Sequence, residues 1–324
     1  QVEAPRGGRG RRAAPAGAAH RSRAKAALRT RGSAVVDEAD GLTVGGVALG
    51  WPAASLWRAP TDHDDPPPPT EIPPIADRWR AHGLDRLAPV DLDVRRRGEA
   101  IVRRALLAAP RGSGGSGRPV DEPDRPIVEH RRTVTVEGGV ARIDERIVVP
   151  REVESVPRVG VAFALPTDFD ELTWYGLGPG DAYPDRRAAA RVGRWSASVA
   201  ATTVPFVVPQ EHGLRLDVRW VAIGGPDVAL LVVGDRPLAV SALPHSAAQL
   251  TAAGHPHELA ARTGTHVHVD VAHAGLGTAA CGPPTAPAHR LGPGTYRWTW
   301  WVAAVAAGAA RRATAAAVDL TVGR

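Results

Sequence analysis

His266, His268 and His273 are the first residues in this 324-residue chain whose spacing suggests chemistry. On a strand, i and i+2 share a face, so His266 and His268 could offer two imidazoles to a metal ion, with His273 just beyond. Two ligands do not close a zinc site, and the expectation is structural histidines with no metal in this chain. Trp57, Trp79, Trp174, Trp195 and Trp220 could supply flat platforms for a sugar ring, but single tryptophans in a β-rich chain usually fill the core. Core positions are expected for all five. Asp62 and Asp185 stand beside Arg58 and Arg186 in turn-rich segments, where they would satisfy backbone amides or pair with those arginines. Cys281 is the single cysteine, which excludes an intrachain disulfide and a cysteine zinc cluster.

Charge narrows the class of partner. The net charge of +6 combines 40 basic and 34 acidic residues. Residues 1–33 carry nine of the basic residues and one acid, Glu3, which leaves 31 against 33, a balance of −2, for the rest. The basicity therefore belongs to a tail, and binding to nucleic acid is not expected of the body. Lys25 is the sole lysine, and methionine and asparagine are absent, with Ala, Arg, Gly, Pro and Val in their place. Without asparagine there is no N-glycosylation acceptor. No apolar run approaches the ~20 residues of a membrane span, and the N-terminal stretch lacks the apolar segment of a signal peptide. These features point to a cytoplasmic protein. Gln1 in place of Met points to a piece of a longer chain.

The elements that must position these residues are strands. Residues 1–33, rich in Arg, Gly and Ala, cannot build a core and read as a disordered basic arm. From Ala34 the chain becomes short apolar runs separated by Gly, Pro and Asp. Pro66–Pro69 cannot lie in a helix or central strand and marks a loop, as does Arg111–Gly117. Val94–Leu107 reads as a strand pair. Ile127–Val136 alternates, turns at Glu137-Gly138-Gly139 and returns through Ala141–Val149, the pattern of a hairpin. Arg158–Leu165, Leu214–Ile223, Val228–Val233, His266–Val271 and Tyr296–Val302 are further strands. Ser246–Ala253 is a short helix with Ser246 at its N-cap, and Arg186–Arg191 is too brief for one. The pattern predicts an all-β domain over residues 34–304, a large antiparallel β supersandwich, followed by an Ala-rich tail at 305–324.

Several collinear segments resemble the C-terminal, small-chain domain of the β-galactosidases of glycoside hydrolase family two. Residues 56–65, LWRAPTDHDD, are similar to the family's WRAPTDND, with His63 at the usual Asn. Arg78-Trp79-Arg80 and Gly83 follow the family's RWxxxG. Residues 174–186, WYGLGPGDAYPDR, resemble YGxGPxExYxDR, with Asp181 for Glu. Residues 205–220, PFVVPQEHGLRLDVRW, resemble PYVxPQENGxRxDVRW, with His212 for Asn. Leu243-Pro244-His245-Ser246 and residues 273–297 match in order. The departures are the two histidines, a shortened stretch between Gly45 and Trp51, and the unrelated ends. An imidazole cannot offer the paired donor and acceptor of an amide, so these loops should pack differently.

The resemblance implies a galactose-mutarotase-like supersandwich, and a part in hydrolysing terminal β-D-galactosides such as lactose. Retaining hydrolysis needs two carboxylates about 5 Å apart. The resemblance places both in a (β/α)₈ barrel that this chain lacks, together with the family's Mg²⁺ and Na⁺. No catalytic residue and no cofactor are expected here, and Glu211 and Asp217 are not read as a pair. The expected partners are a barrel domain or large subunit and the galactoside itself. In the family the loop corresponding to Gly277–Pro283 reaches toward the barrel and helps close the galactose site. Gly277, Thr278, Ala279, Ala280 and Cys281 are therefore the candidate rim residues, with Cys281 where some members place a stacking tryptophan. A buried small residue in a turn is the competing reading of Cys281. Two other functions fit the same fold: a non-catalytic carbohydrate-binding module, or an aldose epimerase, which would need a convergent His and carboxylate in the groove.

Overall fold

A computed structural model describes residues 30–67, 71–110 and 126–309. Residues 1–29 of the expected arm at 1–33, the glycine loop at 111–117, Pro68 and Pro69, and residues 310–324 of the expected tail at 305–324 lie outside them.

Alternating apolar residues separated by Gly turns give fifteen strands among the described residues. β1 (Ala34–Asp37), β2 (Gly41–Val44) and β3 (Val47–Gly50) form a small antiparallel meander. The remaining twelve make one curled antiparallel sheet: β4 (Ala53–Ser55), β5 (Ala88–Arg97), β6 (Ala100–Ala108), β7 (Val128–Glu137), β8 (Val140–Val149), β9 (Arg158–Leu165), β10 (Glu171–Gly178), β11 (Arg191–Ser198), β12 (Arg215–Gly224), β13 (Val228–Leu243), β14 (Thr265–His273) and β15 (Gly294–Ala306). The fold is thus the all-β antiparallel sandwich that the patterning predicts.

β13 is the strand at which the sheet branches. Val228–Gly234 pairs with β15 and Ala239–Leu243 with β14, which carries β9 and β4, while β12 runs along the other edge from Ala229 to Val240. The two layers meet in a core of buried aliphatics and aromatics, where Phe163 of β9 stacks on Trp300 of β15 at 6.3 Å. Among them lies a buried polar row. Glu145 accepts from Arg132 (2.7 Å) and Trp300 (3.3 Å) and contacts His130 at 2.8 Å. Burial opposes the Glu145 charge, but Arg132 and His130 together outweigh it and hold the carboxyl below its ordinary range. Such a group stabilises only as a complete set, since a lone survivor would be a charge without a partner.

Several elements differ from the sequence reading, which marks no strand at β10 or β11. Val228–Val233 continues ten residues further, through a Gly-Asp-Arg-Pro stretch that reads as a breaker, because the register with β12 shifts there and the strand bends instead of ending. Ile75–Ala81 is a helix, α1, entered from Pro74 and anchored by buried Ala76 and Trp79. It is too short to show a helical period. The expected strand at Tyr296–Val302 extends to Ala306, and the Arg31 amide donates to the Ala304 carbonyl at 2.7 Å. The helix at Ala247–Ala252, α2, forms as expected: Ser246 accepts from the Gln249 amide and the Gln249 side chain answers the Ser246 amide, a reciprocal cap.

Candidate functional site

The turn that follows β4 carries Arg58, which is 1% exposed. Asp64 folds back on it through a turn in which the Asp64 and Asp65 amides donate to the Thr61 carbonyl. Arg58 Nε donates to Asp64 Oδ2 at 3.0 Å and Nη2 to Oδ1 at 2.6 Å, a two-pronged pair. Thr61 supplies a further two donors to the same carboxylate. The remaining Arg58 donors reach the carbonyls of Ala274 (3.1 Å) and Gly275 (3.0 Å). One buried guanidinium thereby ties the first motif to the base of the 274–281 loop. The partner is Asp64 and not Asp62. Asp62 is exposed, and its amide donates to Gln210 Oε1.

A second anchor comes from the turn after β10, closed by reciprocal amide bonds between Tyr183 and Arg186. It presents Asp185 to the same loop, where the carboxylate accepts from the Leu276 amide at 3.0 Å and the Gly277 amide at 2.7 Å. Asp185 thus satisfies backbone amides, one of the two roles expected of it. Arg186 Nη2 donates to the Gly277 carbonyl at 3.0 Å, not to a carboxylate. The close approach explains Gly275: a Cβ there would lie 2.6 Å from Asp185 Cγ. Gly277 has φ +73°, and its would-be Cβ meets Thr285 at 2.6 Å, so both turn and space require glycine.

His63 holds the far end. Its Nδ1 accepts from the Ala280 amide at 3.3 Å, which assigns the proton to Nε2. Burial, and then Arg186, push this imidazole below its ordinary pKa and keep it neutral. The other Asn-to-His position behaves differently. His212 uses Nδ1 toward the Gln210 carbonyl at 2.8 Å and leaves a buried Nε2 without a partner.

The result is a loop gripped by Arg58, His63, Asp185 and Arg186 whose crest stays free. Gly277 and Ala279 are buried, Ala280 is half-buried, and Thr278 and Cys281 are exposed. The exposed thiol removes the reading of Cys281 as a buried turn residue.

Behind the loop lies a sealed ionic cluster. Arg158 donates to Asp270 Oδ2 at 2.9 and 2.7 Å and approaches Glu211 at 3.6 Å. Tyr183 donates to Glu211 at 3.4 Å, and His273 stands 3.7 Å from it. Two carboxylates share one guanidinium, and their titrations part. Burial opposes the Glu211 charge, yet Arg158 and His273 hold that carboxyl low, whereas burial pushes Asp270 up. Glu211 and Asp270 are 3% and 0% exposed, so neither can reach a substrate in this state. Asp217 is elsewhere, paired with exposed Arg187.

His266 and His268 share a face of β14, but His268 Nδ1 bonds Ser55 at 3.0 Å and His273 packs edge-on against Tyr183. No group of three metal-ligating side chains occurs among the described residues. Trp57, Trp79, Trp174 and Trp220 are buried, and Trp195 is half-buried against the core, as expected for packing residues. The sequence reading missed Asp64, His63 and Gln210 as loop-positioning groups. His63, lying beside the motif acids, was the visible cue.

Fold and site together define a β-sandwich domain whose recurring sequence motifs hold one projecting loop. Residues 34–301 match the family model described as β-galactosidase small chain, and the chain belongs to that family. It is 31% identical over 285 residues to a β-galactosidase of Arthrobacter sp. (strain B7), covering 81% of this chain and 27% of the relative. A β-galactosidase of Vibrio cholerae is 36% identical over 141 residues, 43% of this chain and 13% of the relative. The chain thus spans about a quarter or less of these relatives. Among solved structures, a galactose mutarotase-like protein from Lactobacillus casei aligns over 66% of this chain and 73% of its own, at 11% identity and a TM-score of 0.35. No helix among the described residues is long and apolar enough to cross a membrane.

Proposed function

We propose that this chain is the C-terminal domain or small subunit of a β-galactosidase, in which residues Gly277–Cys281 complete the rim of a site that hydrolyses terminal β-D-galactosides such as lactose. The observation that carries this reading is the convergence of Arg58, His63, Asp185 and Arg186 on one loop whose crest, Thr278 and Cys281, stays exposed. A domain that spends four motif side chains on orienting a loop is built to present it to something else. The hydrolytic carboxylates, and any Mg²⁺ or Na⁺, belong to a barrel partner, and this chain alone is inactive. The buried acids Glu211 and Asp270 are both engaged by Arg158. We place the protein in the cytoplasm, with no membrane or nucleic-acid partner.

The test is complementation. The chain mixed with a β-galactosidase large subunit or a truncated enzyme lacking this domain should restore hydrolysis of a chromogenic β-galactoside. No gain in activity or stability on mixing would overturn the proposal.

A further inference from the structure

A cavity of about 340 Å³ opens elsewhere in the sandwich, between β4, β9, β14 and α2, and none of its lining residues belongs to the rim loop. It exists because of cross-strand pairing. On β9, Ala162 and Ala164 stand opposite His268 and His266, and the two small side chains leave space beside the two imidazoles. Ser55 of β4 closes one side at 3.0 Å from His268 Nδ1. Ser55 and His268 are 7% and 9% exposed, so this is a built polar wall and not a surface accident.

The wall contains a group that folding left unsatisfied. His266, one of the lining residues, has a buried Nε2 without a partner. Buried polar atoms of this kind call for a water or a ligand. The rest of the lining is mixed, with Leu56, Trp57 and Leu87 supplying apolar surface. No Lys or Arg lines the cavity, and Asp85 does, which disfavours an anion.

We infer that this cavity is a binding site for a neutral polyhydroxylated ligand the size of one pyranose, independent of the rim loop. The volume lies at the small end for ligand sites. An imidazole held neutral has one donor and one acceptor, which matches a sugar hydroxyl in either sense. Burial pushes both His266 and His268 below their ordinary pKa, so they stay in that form at neutral pH. The apolar wall suits the C–H face of the ring.

The test is ligand-observed NMR and calorimetry on the full chain with methyl β-D-galactopyranoside and methyl β-D-glucopyranoside. Saturable binding of at least one, with a Kd of about 1–10 mM for so small a ligand, is expected. Ala248→Trp places an indole at the mouth from an exposed helix position and should abolish binding while leaving the melting temperature unchanged. Ser55→Ala should weaken it about fivefold, the loss of one hydrogen bond. No saturation by either glycoside, or binding that survives Ala248→Trp unchanged, overturns the inference. The measurement needs no catalytic partner, so it fails or succeeds separately from complementation.

Discussion

Replacing Asp185 by alanine isolates the loop anchor. The substitution removes the acceptor of two backbone donors, Leu276 N at 3.0 Å and Gly277 N at 2.7 Å. A hydrogen bond to a charged group contributes about 1.5–3 kcal/mol, and for this half-buried carboxylate the lower figure applies, about 3 kcal/mol for the two. That equals roughly a hundredfold in the loop's opening equilibrium. Amide exchange resolved by residue is the assay, because local opening registers there before global unfolding. Exchange at Leu276 and Gly277 should accelerate about a hundredfold, while amides of β9 and β14 keep their protection. Asp185→Asn keeps one acceptor oxygen and should fall between. Gly275→Ala drives a Cβ to within 2.6 Å of Asp185 Cγ and should loosen the same amides, with the double variant no worse than Asp185→Ala alone. Unchanged exchange at residues 276 and 277 would refute the claim that Asp185 holds the loop.

Arg58→Ala leaves Asp64 buried without its cation and should cost about 3–5 kcal/mol, lowering the melting temperature by roughly 10 °C. An unshifted scanning-calorimetry transition would contradict the burial of that pair. His63, His130, His266 and His268 are all held below the ordinary value of 6.5, chiefly by burial. The unfolded chain therefore binds more protons than the folded one below that pH, so stability is full above about 6.5 and lost as pH falls through it. Denaturant unfolding between pH 7.5 and 5 reads the slope, and His63→Asn should remove the acid-induced exchange at the Ala280 amide while leaving most of the global slope. Cys281→Trp places an aromatic face on the exposed crest and should lower the KM of the complemented enzyme for galactosides, with the fold unchanged by circular dichroism.

Much of the strand order was legible because apolar alternation and Gly turns coincide. The hairpin of β7 and β8 follows from alternation on both sides of Glu137-Gly138-Gly139, and β9 spans the residues its pattern marks. β13 was truncated in the reading because Gly234-Asp235-Arg236-Pro237 is a breaker by composition, whereas a register shift carries the strand through it. The loop anchors were half legible. Asp185 at two amides follows from its place in a turn, but three acids follow Arg58 within seven residues, and only the Thr61–Asp64 turn decides which one returns to it. The fate of Glu211 was not legible at all. Its partners, Arg158, Tyr183 and His273, lie 53, 28 and 62 residues away and meet only when the sheet curls.

The central claim, that the loop of this domain completes a galactoside site on another part of the enzyme, is tested most directly by complementation with and without that loop. The intact chain and a variant shortened between Gly277 and Pro283 should bind the catalytic partner equally, while the shortened one restores hydrolysis with a kcat/KM at least about tenfold lower, the loss of one good contact. Equal kcat/KM for the two complexes would contradict the account.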